Sequence, residues 1–303
     1  MRPTSARPTP GRLRRRVSAV VGLVAASLAG VVVLAAVQTA GPTRSHAGSR
    51  TLTVATWNMC GVERWHCDGT GDRRAKRGEV VGLATARGAR VVFLQEACAS
   101  DVSAVRARLG RSWHSVFRPY SWRSKAGRTS TVRCGSGSRD AAGFAMLSAY
   151  PLSHVRTVAS RQPTVGLRRG VVCASVAAHR LTVCNAHLSR PGDDLAHPRW
   201  ELRDDQLKAL TGAARGRRVV YGGDLNVDPP SGRNPVAWVW PSAPYGTQRE
   251  CDQRSASARS GRATHVSGHK LDYLFTGLPR AGCTVRDTGD SDHYAVLLRV
   301  RTG

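Results

Sequence analysis

Short apolar runs separated by polar segments recur along the chain from residue 52 onward. Such runs, rich in Val, Leu and Thr and bounded by turn-forming residues, are typical of β-strands. The predicted strands are Leu52–Trp57, Val91–Leu94, Trp113–Pro119, Gly143–Ser148, Val171–Ala177, Leu181–Ala186, Arg218–Gly222, Leu271–Thr276 and His293–Val300. Two of them, Val171–Ala177 and Leu181–Ala186, are close enough in sequence to form a hairpin.

Two longer stretches follow a helical spacing instead. The first covers about Arg73–Arg87, and the second covers about Pro198–Ala214, where Trp200, Leu207 and Leu210 recur on one face. Strands outnumber helices and many are joined by hairpins. We therefore expect an α/β protein of the α+β type, with two mostly antiparallel sheets packed face to face and helices outside.

Two segments match neither pattern. Residues 121–140 and 246–270 are rich in Ser, Arg, Gly and Thr, offer little to bury, and are predicted to be surface loops. Four arginines in the first loop could bind phosphates, and the alternative is a solvated loop that is arginine-rich by composition alone. They are Arg123, Arg128, Arg133 and Arg139.

The N-terminus resembles an export signal. Basic residues up to Arg16 precede an uncharged run of 24 residues, Val17–Ala40, and Ser45-His46-Ala47 places small residues where signal peptidase cuts. We expect cleavage after Ala47. Because the apolar run is long enough to span a bilayer, an uncleaved signal anchor is the alternative.

The remaining residues 48–303 are predicted to form a single catalytic domain and a monomer, with no protein partner implied. They carry 39 Lys and Arg against 20 Asp and Glu, a net charge of +19. This excess favours a polyanionic partner such as nucleic acid or an anionic membrane surface. The competing explanation is coding bias, because 42 of the 46 basic residues in the chain are arginine.

All eight cysteines lie in the exported part, and their even number in an oxidising compartment predicts disulfides rather than a zinc site. In the hairpin register Cys173 and Cys184 stand directly opposite each other, so geometry predicts that pair. Proximity favours Cys60 with Cys67. Elimination then leaves Cys98 with Cys134 and Cys251 with Cys283.

Polar residues suited to hydrolysis follow or open the predicted strands. These are Asn58, Glu96, His187, Asp224, Asn226, Asp272, Asp292 and His293. Carboxylates, amides and imidazoles delivered to one rim can hold a hard divalent ion, orient water and protonate a leaving oxygen.

The order of these motifs and their amino-acid sequences resemble those of the endonuclease/exonuclease/phosphatase superfamily, and of its secreted deoxyribonuclease-like members in particular. The motifs are Trp57-Asn58, Gln95-Glu96, Asn185-Ala186-His187, Gly223-Asp224-Leu225-Asn226, Leu271-Asp272-Tyr273 and Ser291-Asp292-His293. The resemblance covers nearly all of the exported part. It implies a four-layered sandwich and metal-assisted attack of water on a phosphate ester.

The resemblance also implies a role for each residue. Glu96 and Asp292 would bind Mg²⁺ or Mn²⁺, with Asn58 steadying the metal and its ligands. Asp224 would orient the attacking water, and Asn226 would contact the phosphate oxygens. Asp272 would hold the imidazole of His293, which polarises the phosphate or takes a proton.

His187 resembles the histidine that stabilises or protonates the leaving group in many members. The acid and arginine that usually orient it have no convincing counterpart, since Asp140 and Arg139 are the only candidates. If that match fails, His187 would serve substrate binding. Seven further histidines in the exported part are interpreted as surface or structural: His66, His114, His154, His179, His197, His265 and His269.

Three classes of phosphate ester are candidate substrates. A nuclease is favoured by the basic charge, and a sphingomyelin or phospholipid phosphodiesterase is the second candidate, with Ala237–Trp240 as a short membrane-contacting segment. An inositol-phosphate-type phosphatase is the third. The non-enzymatic alternative is a module of the cell envelope that binds polyanions and has lost its catalytic activity.

Overall fold

The computed structural model describes residues 51–65, 67 and 70–303. They fall within one compact unit, His46–Gly303. The predicted export segment, residues 1–47, lies outside the described residues, so its cleavage stays a prediction. No helix in the described part of the chain is long and apolar enough to cross a membrane.

The described chain contains fifteen strands and three α-helices. In chain order they are β1 Thr51–Asn58, α1 Arg73–Thr85, β2 Val91–Cys98, α2 Ala99–Leu109, β3 His114–Pro119, β4 Ser121–Arg123, β5 Thr129–Thr131, β6 Ala142–Ser148, β7 Leu152–Val158, β8 Gly166–Arg168, β9 Gly170–Val176, β10 Leu181–His187, α3 Arg203–Ala213, β11 Val219–Asp224, β12 Arg249–Glu250, β13 Asp272–Thr276, β14 Arg280–Arg286 and β15 Ala295–Arg301.

Two six-stranded sheets form the centre of the fold. Their strand orders are β14-β15-β1-β2-β6-β3 and β12-β13-β11-β10-β9-β7. Only the β1–β2 and β10–β11 pairs are parallel among the described strands, and every other pair is antiparallel. A small third sheet, β5-β4-β8, lies beside them.

Three apolar clusters give four layers. The largest lies between the two sheets and includes Val54, Phe93, Val183 and Leu274. A second joins the outer face of the first sheet to α1 and α2, and the third joins the outer face of the second sheet to α3. The predicted four-layered sandwich of mostly antiparallel sheets flanked by helices is confirmed.

The helices differ from the sequence pattern in two places. The pattern missed α2, although Val102 and Val105 are buried at helical spacing. The second predicted helix begins five residues later than expected, at Arg203. Trp200, expected on its buried face, precedes the helix; it stacks on His197 with ring centroids 3.7 Å apart and stays 40% exposed.

Neither predicted surface loop is wholly irregular. Residues 121–140 contain β4 and β5, because the backbone of Ser121–Arg123 pairs with both β5 and β8. Residues 246–270 contain β12 and bury Glu250, which faces the equally buried Lys270 at 3.3 Å. The expectation of little burial there was wrong, because an ion pair between neighbouring elements gives no apolar signal.

All eight cysteines are paired as expected. The disulfides join Cys60 to Cys67, Cys98 to Cys134, Cys173 to Cys184 and Cys251 to Cys283. The hairpin register places Cys173 directly opposite Cys184, as predicted from the sequence.

Candidate active site

The polar residues predicted from the sequence meet at one edge of the paired sheets. The parallel strands β1 and β2 end there with Asn58 opposite Gln95, and β10 and β11 end with His187 opposite Asp224. The antiparallel strand β13 begins at the same edge, so its first residue, Asp272, pairs with Asp224. Asp292 and His293 lie just before β15.

A cavity of about 300 Å³ opens at this edge. Its lining includes Glu96, Asp224, Asn226, Asp292 and His293. Asn58, His187 and Asp272 are buried behind this lining.

Glycine positions Asp224 at the end of β11. Gly223 has φ +127°, and a Cβ atom there would lie 1.9 Å from the carbonyl oxygen of Ala186 on β10. A side chain is therefore excluded both by the backbone conformation and by the neighbouring strand. The Gly-Gly-Asp sequence lets β11 approach β10 closely and delivers the carboxylate to the cavity.

Asp272, His293 and Asp224 form a charged chain. The Nδ1 atom of His293 lies 2.8 Å from Oδ2 of Asp272, and its Nε2 atom lies 3.9 Å from Oδ2 of Asp224. Burial disfavours the charged imidazole, but the Asp272 and Asp224 carboxylates outweigh it and raise the pKa of His293 to about 10. The ring is therefore a cation near neutral pH and can donate from both nitrogens.

Asp224 is the most deeply buried carboxylate lining the cavity. Burial raises the pKa of its carboxyl despite the opposing charge of His293. Its Oδ2 atom accepts a hydrogen bond of 3.1 Å from Nδ2 of Asn58, and its Oδ1 atom accepts one of 3.0 Å from the backbone N–H of Asn226. These bonds orient the carboxylate, while the raised pKa improves it as a proton acceptor.

The structure shows Asn58 holding Asp224, whereas the sequence suggested that it steadies a metal. Its amide oxygen accepts from the backbone N–H of Cys60 at 3.0 Å, which fixes the amide orientation. The metal role of Asn58 stays a prediction.

Asn226 lies beyond the end of β11 and has φ +52°, so its side chain does not follow the face-to-face alternation of the strand residues. Its side-chain amide donates a hydrogen bond to the carbonyl of Leu188.

Glu96 projects into the cavity from an irregularity in β2. The register between β2 and β6 shifts between Leu94 and Ala97, and Glu96 has φ +52°. A non-glycine residue in this conformation is uncommon and indicates a functional constraint. Burial raises the pKa of the Glu96 carboxyl, although His293 and Arg169 oppose this.

The donors facing the cavity fit a hard divalent cation. Asp292 lines the cavity together with Glu96, and the two supply carboxylate oxygens of the kind that Mg²⁺ and Mn²⁺ prefer. A cation would also relieve the unfavourable burial that raises the pKa of Glu96. Burial disfavours the charged form of Asp292 as well, but His265 and His293 outweigh it and lower its pKa.

His187 is buried, and it is absent from the cavity lining. The hydroxyl of Tyr120 lies 2.6 Å from its Nδ1 atom and accepts from the backbone N–H of Glu96 at 3.1 Å. The Nε2 atom of His187 lies 3.3 Å from Oδ2 of Asp224 without making a hydrogen bond. Burial, with the charge of Arg169, holds the pKa of His187 well below its usual value, so the ring is neutral.

Asp140 and Arg139, the candidate orienting partners of His187, make contacts elsewhere. Asp140 accepts hydrogen bonds from the side chains of Arg73 and Ser100. Arg139 contributes only its carbonyl to the side chain of Arg133. Tyr120 takes the orienting position instead, and no local motif announced it, because Tyr120 reaches His187 across 67 residues of chain.

Sequence reasoning missed three other cavity residues. Arg169 and Arg190 bring positive charge to the lining, and His265 lies against Asp292 and His293. Arg169 is held by an ion pair with Asp193. His265, interpreted from the sequence as a surface or structural residue, reaches the cavity because the 246–270 segment folds back so that His265 pairs with His293.

The small sheet extends the cavity wall. Leu167 of β8 lines the cavity, and its register partner on β4 is Trp122, which is 40% exposed. Cross-strand partners project from the same face of a sheet. Trp122 therefore projects from the same face of the small sheet as Leu167.

A sequence model of the endonuclease/exonuclease/phosphatase family matches residues 55–293. The chain belongs to this family. Its members are phosphoesterase hydrolases that typically use divalent metals, and the chain therefore has a phosphoesterase fold. A search of functionally curated proteins found no match.

Three solved structures illustrate the likeness. An endonuclease/exonuclease/phosphatase from Beutenbergia cavernae is 19% identical, covering 84% of this chain and 72% of its own, with a TM-score of 0.60. The human Nocturnin catalytic domain with bound sulfate is 16% identical over 82% and 94%, with a TM-score of 0.59. TDP2 from D. rerio, complexed with a single strand DNA product, is 17% identical over 82% and 98%, with a TM-score of 0.54. These identities support the fold alone.

Proposed function

We propose that this chain is an exported, metal-dependent phosphodiester hydrolase, specifically a nuclease that cleaves nucleic acid by in-line attack of water. The observation that carries the proposal is the meeting of Glu96, Asp224, Asp292 and His293 at one cavity. These side chains come from three separate chain segments, since Asp292 and His293 are adjacent. Their convergence argues against the alternative of a polyanion-binding envelope module with a lapsed site.

Each residue has a role suited to its surroundings. Asp224, fixed by Asn58 and of raised pKa, orients the attacking water and takes its proton. The His293 cation, held by Asp272, donates a hydrogen bond to a phosphate oxygen as negative charge develops there. Asn226 borders the same cavity and contacts the phosphate.

Glu96 and Asp292 are the residues that would hold Mg²⁺ or Mn²⁺. When bound, the cation supplies positive charge that stabilises the oxygens of the reacting phosphate. His187, neutral and buried, is suited to keeping Tyr120 in place. The family resemblance implies that His187 stabilises or protonates the leaving group. The burial of His187 outside the cavity lining does not support that role.

Nucleic acid is the proposed substrate because residues 48–303 carry a net charge of +19 and two arginines line the cavity. Arg169 and Arg190 line the cavity, and the exposed Trp122 shares a sheet face with the lining residue Leu167. A base stacked on an aromatic ring with arginines on the backbone is a common mode of single-strand binding. The D. rerio TDP2 structure, with its single strand DNA product, is a precedent within the fold.

The phospholipid alternative depended on Ala237–Trp240 as a membrane-contacting segment. These residues include a short 3-10 helix in which Val239 is buried, and Trp240 packs against Tyr273 with ring centroids 5.2 Å apart. Only Trp238 of this segment is strongly exposed, at 62%. One exposed ring is a weak membrane anchor. An inositol-phosphate-type phosphatase has no specific observation in its favour.

Export is proposed from the disulfides as well as from the N-terminal signal. Four disulfides with no free cysteine in the described chain are consistent with an oxidising compartment. Cleavage after Ala47 and a monomeric state are part of the proposal.

Nicking of supercoiled plasmid by the purified, disulfide-intact protein tests the proposal. We expect activity with Mg²⁺ or Mn²⁺, loss with EDTA, and a loss of about 10² to 10⁴-fold in Asp224→Asn. The matched control is Asp287→Asn, which removes an exposed carboxylate outside the cavity and should keep full activity. A folded wild-type protein that nicks no nucleic acid with Mg²⁺, Mn²⁺ or Ca²⁺ would contradict the nuclease assignment.

A further inference from the structure

His265 is a cavity residue without a role in the family pattern. Its side chain is 21% exposed, and it lines the cavity beside Asp292 and His293. The backbone of His265 forms a β-bridge with that of His293, and the two rings meet edge to face with centroids 4.6 Å apart. The ring is therefore held in place on two sides.

Ser267 determines which nitrogen of His265 carries the proton. The backbone N–H of Ser267 donates to Nδ1 of His265 at 3.1 Å, and the Ser267 hydroxyl lies 2.6 Å from the same nitrogen. A backbone N–H can only donate, so Nδ1 must be an acceptor. In the neutral imidazole the hydrogen is then on Nε2.

The Nε2–H group of His265 lies beside the Asp292 carboxylate at the cavity. Its nearest charged neighbour is Oδ2 of Asp292 at 3.4 Å, which is longer than an ordinary N–H···O hydrogen bond. The donor is therefore available to an oxygen atom of a bound substrate.

His265 and Asp224 both approach His293 in the cavity lining. The Nε2 atom of His293 lies 3.9 Å from the Asp224 carboxylate, and its ring centroid lies 4.6 Å from that of His265. In-line displacement requires the attacking and leaving oxygens to lie on opposite sides of phosphorus. If Asp224 directs the water, the leaving oxygen departs toward His265.

We propose that His265 donates a hydrogen bond from Nε2 to the leaving-group oxygen of the scissile phosphodiester, an inference that rests on the proposed function. The water oxygen forms the new bond to phosphorus, and Asp224 takes a proton from that water. The bond from phosphorus to the leaving oxygen breaks with its electron pair. That oxygen, stabilised by His265, takes a proton from solvent to leave as an alcohol, and Asp224 returns its proton to solvent.

Two diesters of the same nucleotide test this role, one with a p-nitrophenolate leaving group and one with a nucleoside alcohol. The alkoxide is strongly basic and needs the hydrogen bond, whereas p-nitrophenolate needs little help. For His265→Phe, which keeps an aromatic ring against His293, we expect kcat/KM to fall about 10² to 10³-fold on the alcohol ester. The p-nitrophenyl ester should change by less than about threefold.

Two further variants sharpen the result. His265→Gln retains a donor near the position of Nε2 and should recover part of the rate on the alcohol ester. His269→Phe is the matched control, because His269 lies on the same segment but faces Asp228 at 2.7 Å outside the cavity. It should leave both rates unchanged.

The outcomes separate the two proposals. Equal losses on both esters in His265→Phe, or no loss on either, would overturn the role of His265 while leaving the nuclease assignment intact. Wild-type protein inactive on both esters and on nucleic acid would contradict the proposed function itself. A selective loss on the alcohol ester, partly restored by glutamine, is the expected result.

Discussion

Asp194→Asn should destabilise the loop that holds Arg169 at the cavity. The Asp194 carboxylate is buried and accepts hydrogen bonds from the backbone N–H groups of Thr164, Ala196 and His197 at 2.8 to 3.1 Å. The Thr164 hydroxyl adds another at 2.9 Å. The neighbouring residue, Asp193, forms the ion pair with Arg169.

The magnitude follows from the shifted pKa of Asp194. Burial opposes ionisation, but the hydrogen bonds led by Thr164 outweigh it and lower the pKa from 3.8 to about 2. At 1.36 kcal/mol per pKa unit, the ionised carboxylate contributes about 2.5 kcal/mol to the free energy of unfolding. Because the folded-state pKa is the lower one, this contribution is present above the unfolded value and disappears as pH falls from about 4 to about 2.

Urea unfolding of wild type and Asp194→Asn at a series of pH values measures this difference. We expect a gap of about 2 to 3 kcal/mol at pH 7 that narrows as the pH falls toward 2. Asp204→Asn is the matched control, because Asp204 pairs only with exposed Lys208 on α3 and should cost less than about 0.5 kcal/mol. A gap below about 0.5 kcal/mol at pH 7, or one that does not change with pH, would refute the reasoning.

Two other substitutions test the backbone of the site and its rim. Gly223→Ala should destabilise the folded protein by at least about 3 kcal/mol, because Gly223 has φ +127° and a Cβ atom there would clash with β10. The control Gly212→Ala lies in open space on α3, so thermal unfolding should show it to be neutral or stabilising. Trp122→Ala, in an inactive Asp224→Asn background, should weaken single-stranded oligonucleotide binding about 5- to 100-fold by fluorescence anisotropy. The control Trp238→Ala should not weaken oligonucleotide binding. Equal losses of binding in the two variants would contradict a stacking role for Trp122.

Much of the candidate site could be predicted because its residues immediately follow or open strands. An apolar run ending in Gln95-Glu96, or one ending near Asp224, carries its own local signal. Parallel neighbours end at the same sheet edge, so such residues are brought together by the pairing of β1 with β2 and of β10 with β11. The same reasoning from register correctly paired Cys173 with Cys184.

Residues whose positions depend on distant segments could not be found this way. Tyr120 reaches His187 across 67 residues, and Asp193 holds Arg169 across 24. Neither carries a motif, because a hydrogen bond or ion pair between distant segments leaves no periodicity in either one. The helix α2 is a different case, since Val102 and Val105 provided a helical spacing that the sequence reading overlooked.

By itself, the sequence determined nine of the fifteen described strands and the chemistry available at their ends, since these depend on apolar runs and the residues beside them. Only the tertiary structure decided that Asn58 holds Asp224, that His187 is buried behind the cavity and that His265 faces it. The physical reason is that burial and hydrogen-bond partners depend on which surfaces meet. Here they meet when the 246–270 segment folds back beside His293 and the small sheet extends the cavity wall.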